Sequence, residues 1–359
     1  MIGRFLLAML TAFVSAPLMA QGNDYDAFGA FLEDFRKETS TPAMSALIVK
    51  DGEIAWEAYL GWSDDEGDEP TSPETTYYIA SVTKPIAATA ILAESLGGQI
   101  DLAIPMSKDA GWGRLCEYMI TTSIPFMSGG EDAFGNPIAP MDCAKATTLG
   151  QMLDMRANDD AFVYNPIAYA RIDRAIEGAG GRPLRDIVRE RVLEPAGMQN
   201  VALGWRDPKS GAALRYLAMP HHVKDGRIVK QPYPDDDFRA AAGMIANPRA
   251  LAAFDKAYDA GLIVPPEQRA RLAEREAIGP LGDYRLGWWL EDYKGKRLMW
   301  HSGKDDEKYS AIYLKVPEEN LTLIVLANSE AIWNEGSSLV LARASLSPVA
   351  RRFLEEFVK

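Results

Sequence analysis

Apolar residues recur at spacings of three and four over residues 25–38, where Phe28, Phe31, Leu32 and Phe35 share one face, as in an amphipathic helix. The period then changes. Ala43–Lys50 and Glu53–Trp62 read as strands, and Asp51-Gly52 between them is the residue pair of a type I′ hairpin turn. An acidic loop rich in Pro and Thr leads to Tyr77–Ala80. A helix is expected from about Ser81 to Leu96, stopped by Gly97-Gly98.

The middle third, about 100–270, reads as helices and long loops. Its clearest helices are Tyr169–Gly178 and Leu184–Leu193, punctuated by Gly180-Gly181 and Pro195. Residues 109–146 are rich in Gly, Pro and Met without periodicity, and a structureless stretch of that length is usually pinned or functional. Strands return at Tyr284–Asp292, Arg297–His301, Tyr309–Val316 and Leu321–Ala327, before a terminal helix over about 336–358. Strands at both chain ends with helices between them predict an α+β fold. One antiparallel sheet is built from the two ends, and a mostly helical lobe is inserted. The expected division is an α/β lobe from about 21–95 and 275–359 and a helical lobe over about 96–274.

Composition narrows the function. The 359 residues carry a net charge of −13, which argues against a nucleic-acid partner, since phosphate binding needs clustered Lys and Arg. The first twenty residues have the layout of a cleaved export signal: Arg4, the apolar run Phe5–Val14, and a small-residue exit ending at Ala20. A periplasmic or secreted protein is therefore expected, with no membrane span in the mature chain. In an oxidising compartment Cys116 and Cys143 are expected to pair and close the 109–146 segment, two buried thiols being the alternative. The three histidines, His221, His222 and His301, leave no histidine-rich metal centre, and no cofactor motif is present. Oligomeric state is left open.

The candidate chemistry is Ser81-Val82-Thr83-Lys84. Ser and Lys three apart at a helix start lie on one face, one turn from each other. A serine hydroxyl needs a base to become a nucleophile, and a desolvated lysine is one, because burial disfavours its charged form. The helix N-terminus adds backbone N–H groups for a developing oxyanion. Gly-x-Ser-x-Gly and His-Glu-x-x-His are both absent.

Five ordered motifs carry a wider resemblance. They are Tyr78-Ile79-Ala80-Ser81-Val82-Thr83-Lys84; Tyr164-Asn165-Pro166; Val192-Leu193-Glu194-Pro195-Ala196-Gly197-Met198; Ala240-Ala241-Ala242-Gly243-Met244; and His301-Ser302-Gly303. From about residue 25 to 330 the sequence resembles the serine β-lactamase and penicillin-binding protein superfamily, in the branch of class C β-lactamases and D-alanyl-D-alanine peptidases. The resemblance implies the β-lactamase/transpeptidase-like fold and an acyl-enzyme on Ser81, with Lys84 and Tyr164 sharing the proton work. It further implies that His301, Ser302 and Gly303 form an edge strand along the substrate, and that the N–H groups of Ser81 and Lys304 hold the oxyanion. Pro166 stands where the family has Asn, and the Lys304–Lys308 segment is charged. These departures point to small esters, amides or D-amino-acid peptides as substrates, with β-lactams cleaved slowly. A family member that binds cell-wall-like peptides without turnover is the alternative.

Overall fold

The computed structural model describes residues 19–359 except 65, 123–128, 132–136, 139, 160, 225, 236, 270–282 and 334–342. Most of the expected export signal therefore lies outside the described residues. Met19 and Ala20 open the first helix, α1, Met19–Glu38. Phe28, Leu32 and Phe35 on its apolar face are buried. Phe28 meets Trp56 at 5.7 Å and Phe357 of the C-terminal helix at 5.6 Å, and Tyr25 stacks on the same Phe357 at 5.3 Å, so the two helices share an aromatic cluster.

The hairpin forms as read, with strands β1 (Ala43–Lys50) and β2 (Glu53–Gly61). Asp51 and Gly52 both have positive φ, the backbone a type I′ turn requires. Five strands come from the other chain end: β3 (Asp283–Arg285), β4 (Trp288–Tyr293), β5 (Lys296–Asp305), β6 (Tyr309–Val316) and β7 (Leu321–Ala327). The seven join in the order β3-β4-β5-β6-β7-β1-β2. The antiparallel β1–β7 ladder, from Met44–Ala327 to Lys50–Leu321, closes the sheet from both ends of the sequence.

The structure corrects three boundaries. The expected strand Tyr284–Asp292 is broken at Leu286-Gly287, where both residues have positive φ and turn the chain into the β3–β4 hairpin. A Cβ on Gly287 would lie 2.7 Å from the carbonyl of Lys84, so this turn packs directly on the Lys84 backbone. The start of the expected terminal helix lies outside the described residues, and among the described ones the helix runs over Pro348–Phe357, after a 3-10 turn at Ala344–Leu346. Pro348 disfavours helical backbone at the residue before it, and extended Ser347 caps the helix through Ala350 N. The 109–146 segment is not structureless throughout, because Trp112–Thr121 is a helix, α3, that buries Trp112, Cys116 and Met119.

The two middle helices depart from the periodicity in opposite ways, one broken and one extended. Tyr169–Gly178 is two pieces, Pro166–Tyr169 and Ile172–Gly178. Leu184–Val188 runs on through a π turn at Arg189–Leu193 to Ala196, and Gly197 ends it with φ +65°. Cys116 and Cys143 are disulfide-bonded, which ties α3 to the chain beyond residue 140. Among the described residues no helix is long and apolar enough to cross a membrane.

Candidate active site

Ser81 does not start an α-helix. It sits in a single 3-10 turn, Ala80–Val82, and helix α2 (Thr83–Leu96) begins two residues later. Ala80 has φ +46°, a backbone that costs a residue with a Cβ of order 1 kcal/mol or more. The surroundings hold that conformation in place. Tyr77–Tyr78 pairs with Met244–Ala246, and Ile79 N donates to Met244 O at 3.0 Å. On the other flank Gly303 of β5 lies against Ile79, where an added Cβ would come within 2.2 Å of the carbonyl oxygen. Any side chain at 303 would push β5 off the nucleophile turn.

Lys84 is wholly buried. Its Nζ lies 2.6 Å from Ser81 Oγ and 2.9 Å from the carbonyl of Ala241, in the Ala240–Gly243 segment. Burial alone lowers its pKa to about 7. At neutral pH a large share of the amine is therefore uncharged, with a lone pair for the Ser81 proton.

The Tyr164 hydroxyl is buried and turned toward Ser81, without completing a hydrogen bond there. Its ring is stacked on Trp289, centroids 5.3 Å apart. Burial raises its pKa, so the phenol keeps its proton at neutral pH. Lys84 Nζ is 5.9 Å from the centre of this ring and 5.8 Å from that of Tyr169. The Tyr169 hydroxyl is likewise buried without a hydrogen-bond partner.

Asn165 does not replace the family's missing amide. Its Oδ1 caps helix Pro166–Tyr169 by accepting from Ala168 N at 2.8 Å, and its Nδ2 faces the sulfurs of Met119 and Met141. Pro166 takes the first helical position, where no donor is needed.

His301 is buried with both ring nitrogens engaged. Nδ1 lies 2.6 Å from the Ser302 carbonyl, so it carries the proton, and Nε2 accepts from the Tyr284 hydroxyl at 3.1 Å. Burial first, and the nearby Lys84 second, hold its pKa well below the usual value. Ser302 and Gly303 are buried alongside. Lys304 turns its ammonium to Asp306, 3.2 Å away. The β4–β5 ladder stops at Trp289–Trp300, so the edge expected at 301–303 starts at the end of that pairing, beyond Trp300. Among the described residues no group of three His, Cys, Asp or Glu side chains is placed to hold a metal ion.

Tyr169, Tyr284 and the Ala241 carbonyl are not among the residues to which the sequence assigned catalytic work. The capping pair Asn165-Pro166 is the local signal that could have found Tyr169, since it starts a helix there whose last residue is Tyr169.

The beta-lactamase family model matches residues 28–335, which contain the whole of this arrangement. The chain belongs to the beta-lactamase family. Protein flp of Staphylococcus aureus (strain MW2) is 23% identical over 308 residues, covering 80% of this chain and 59% of its own length. The chain thus spans about three fifths of the length of the curated relatives it matches. Among solved structures, the octameric penicillin-binding protein homologue from Pyrococcus abyssi superposes with TM-score 0.66 at 21% identity, covering 90% of this chain and 76% of its own. D-amino acid amidase from Ochrobactrum anthropi SV3, complexed with L-phenylalanine amide, gives TM-score 0.64 at 19% identity, covering 93% and 98%. At these identities the two structures show the shared fold alone and fix no substrate.

Proposed function

We propose that this beta-lactamase family member is a serine hydrolase of the bacterial envelope that turns over small esters, amides or D-amino-acid derivatives through an acyl-enzyme on Ser81. The observation that carries the reading is the 2.6 Å contact between Ser81 Oγ and an amine that burial brings to a pKa of about 7. That amine is neutral often enough to take a proton and basic enough to hold it, which is what a general base at neutral pH needs.

In the first half-reaction Ser81 Oγ bonds to the substrate carbonyl carbon while its proton moves to Lys84 Nζ. The Ala241 carbonyl accepts a hydrogen bond from the same nitrogen and fixes its direction. The oxyanion lies against the backbone N–H groups of Ser81 and Lys304. Collapse expels the leaving group, which takes its proton from Lys84 by way of the Tyr164 hydroxyl. This phenol suits a relay better than a base, because burial keeps it protonated. A water molecule then attacks the acyl-Ser81 carbonyl along the same proton path in reverse.

Treatment with a fluorophosphonate and mapping of the adduct by mass spectrometry tests this. The adduct is expected on Ser81, and Ser81→Ala is expected to lose both the adduct and the hydrolysis of an activated ester while remaining folded. An adduct on another residue, or full ester hydrolysis by Ser81→Ala, defeats the proposal.

A further inference from the structure

Among the described residues, the cations beside Ser81 already have partners, and this bears on the charge of the substrate. Among the described residues, the basic side chains beside the nucleophile turn and the Ser302–Lys304 end of β5 are Lys84, Arg239, Arg285, His301 and Lys304, whereas Lys296 and Arg297 lie at the far end of β5 against Glu319 and Asp292. Lys84 is committed to Ser81 and Ala241. Arg239 lies 3.6 Å from Asp173 and 3.7 Å from Asp237. Arg285, next to Tyr284 on β3, alternates to the other side of the strand and approaches Asp154 at 3.7 Å. Lys304 is paired with Asp306.

The decisive residue is His301. Its side chain is fully buried, its Nδ1–H is spent on the Ser302 carbonyl, and its Nε2 lone pair is spent on Tyr284. It offers a substrate neither a charge nor a free donor. The turn that follows, Asp305-Asp306-Glu307-Lys308, carries three carboxylates against one ammonium.

We infer that the Ser81 site selects substrates that are uncharged or cationic next to the scissile bond and disfavours those bearing a carboxylate there, because His301 is locked as a neutral acceptor between Tyr284 and Ser302. A carboxylate drawn against the Ser302–Lys304 end of β5 loses its water and meets, among the described residues, cations that already have partners and a Lys308 ammonium set among three carboxylates. Carboxamides and simple esters of amino acids satisfy the requirement. β-Lactams and peptides ending in a free carboxylate do not. This inference rests on the acyl-enzyme reading given above.

Three acetate esters separate the outcomes: phenyl acetate, 3-carboxyphenyl acetate and 3-[(trimethylammonio)methyl]phenyl acetate, each kcat/KM being divided by that ester's own hydroxide-catalysed rate constant to remove differences in leaving-group reactivity. The kcat/KM of the anionic ester is expected to fall below that of the neutral one by at least about tenfold, with the cationic ester equal to or above the neutral one. Equal or faster turnover of the anionic ester overturns the charge selection while leaving the acyl-enzyme intact. Failure to turn over any of the three, with no Ser81 adduct, removes the acyl-enzyme reading and this inference with it. His301→Lys provides a second reading wherever the variant still hydrolyses phenyl acetate. The gap between neutral and anionic esters is expected to narrow, and an unchanged gap would overturn the assignment to His301.

Discussion

Lys84 and Lys315 are buried to nearly the same depth and keep opposite company. Lys315, on β6, is bonded to Asp255 and lies 3.0 Å from Asp259, and Tyr313 and Thr322 donate to the same Asp255 carboxylate. Among the described residues, Lys84 Nζ is hydrogen-bonded to a hydroxyl and a carbonyl and to no carboxylate. One amine is neutralised by carboxylates and fastens helix Pro248–Asp259 to the sheet. The other has no counter-charge, so burial drives off its proton instead. Depth alone therefore does not separate a lysine held as an ion pair from one proposed to act as a base. The presence of an acid partner does.

The comparison is broken most sharply by removing each amine's function. Lys84→Met is expected to cut kcat/KM for an activated ester by at least about 10³-fold, the usual scale for losing a general base, without unfolding the chain. It should even add stability. Lys84 releases its proton near 7 in the folded chain and near 10.4 in the unfolded one, so between those limits the unfolded chain binds more protons and stability rises with pH. The methionine variant lacks that slope, and its advantage is expected to be largest near and below pH 7 and to shrink toward pH 10. Thermal melts across that range check this.

Asp255→Ala strands a charged Lys315 and is expected to cost about 3–5 kcal/mol of stability, with kcat/KM of the surviving folded protein unchanged. Denaturant unfolding together with an ester assay decides whether the two effects separate as described.

The disulfide has a smaller expected effect. It anchors α3 to the chain that carries Met141, and the sulfurs of Met119 and Met141 receive Asn165 beside Tyr164. Replacing both Cys116 and Cys143 by Ser is expected to cost about 3 kcal/mol, and the unreduced, denatured protein should show no reactive thiol.

What could be read from the sequence follows how local each feature is. The β1–β2 hairpin is written in Asp51-Gly52, and the Ser81–Lys84 contact in a three-residue spacing at a strand-to-helix junction. Both depend on neighbours in the chain. The break at Leu286-Gly287 was hidden because the apolar residues Trp288, Trp289 and Leu290 continue the strand pattern, and the reason for the break is a close approach to Lys84, some two hundred residues away. The crowding of Tyr169 and Tyr284 about Lys84 and His301 is likewise non-local. Helix α3 was masked by the Gly and Pro residues that follow it, although Trp112, Cys116 and Met119 keep the helical spacing of four and three. The direction of Asn165 was settled by a cap and two methionine sulfurs that spacing alone does not place.

The central claim is that an unpaired buried amine, Lys84, activates Ser81. The most direct measurement is the rate of fluorophosphonate attachment to Ser81 between pH 5 and 9. The rate is expected to fall about tenfold per pH unit below a midpoint near 7 and to level off above it, following the neutral amine. A rate that is flat across this range, or one whose midpoint is unmoved in Lys84→Met, would contradict it.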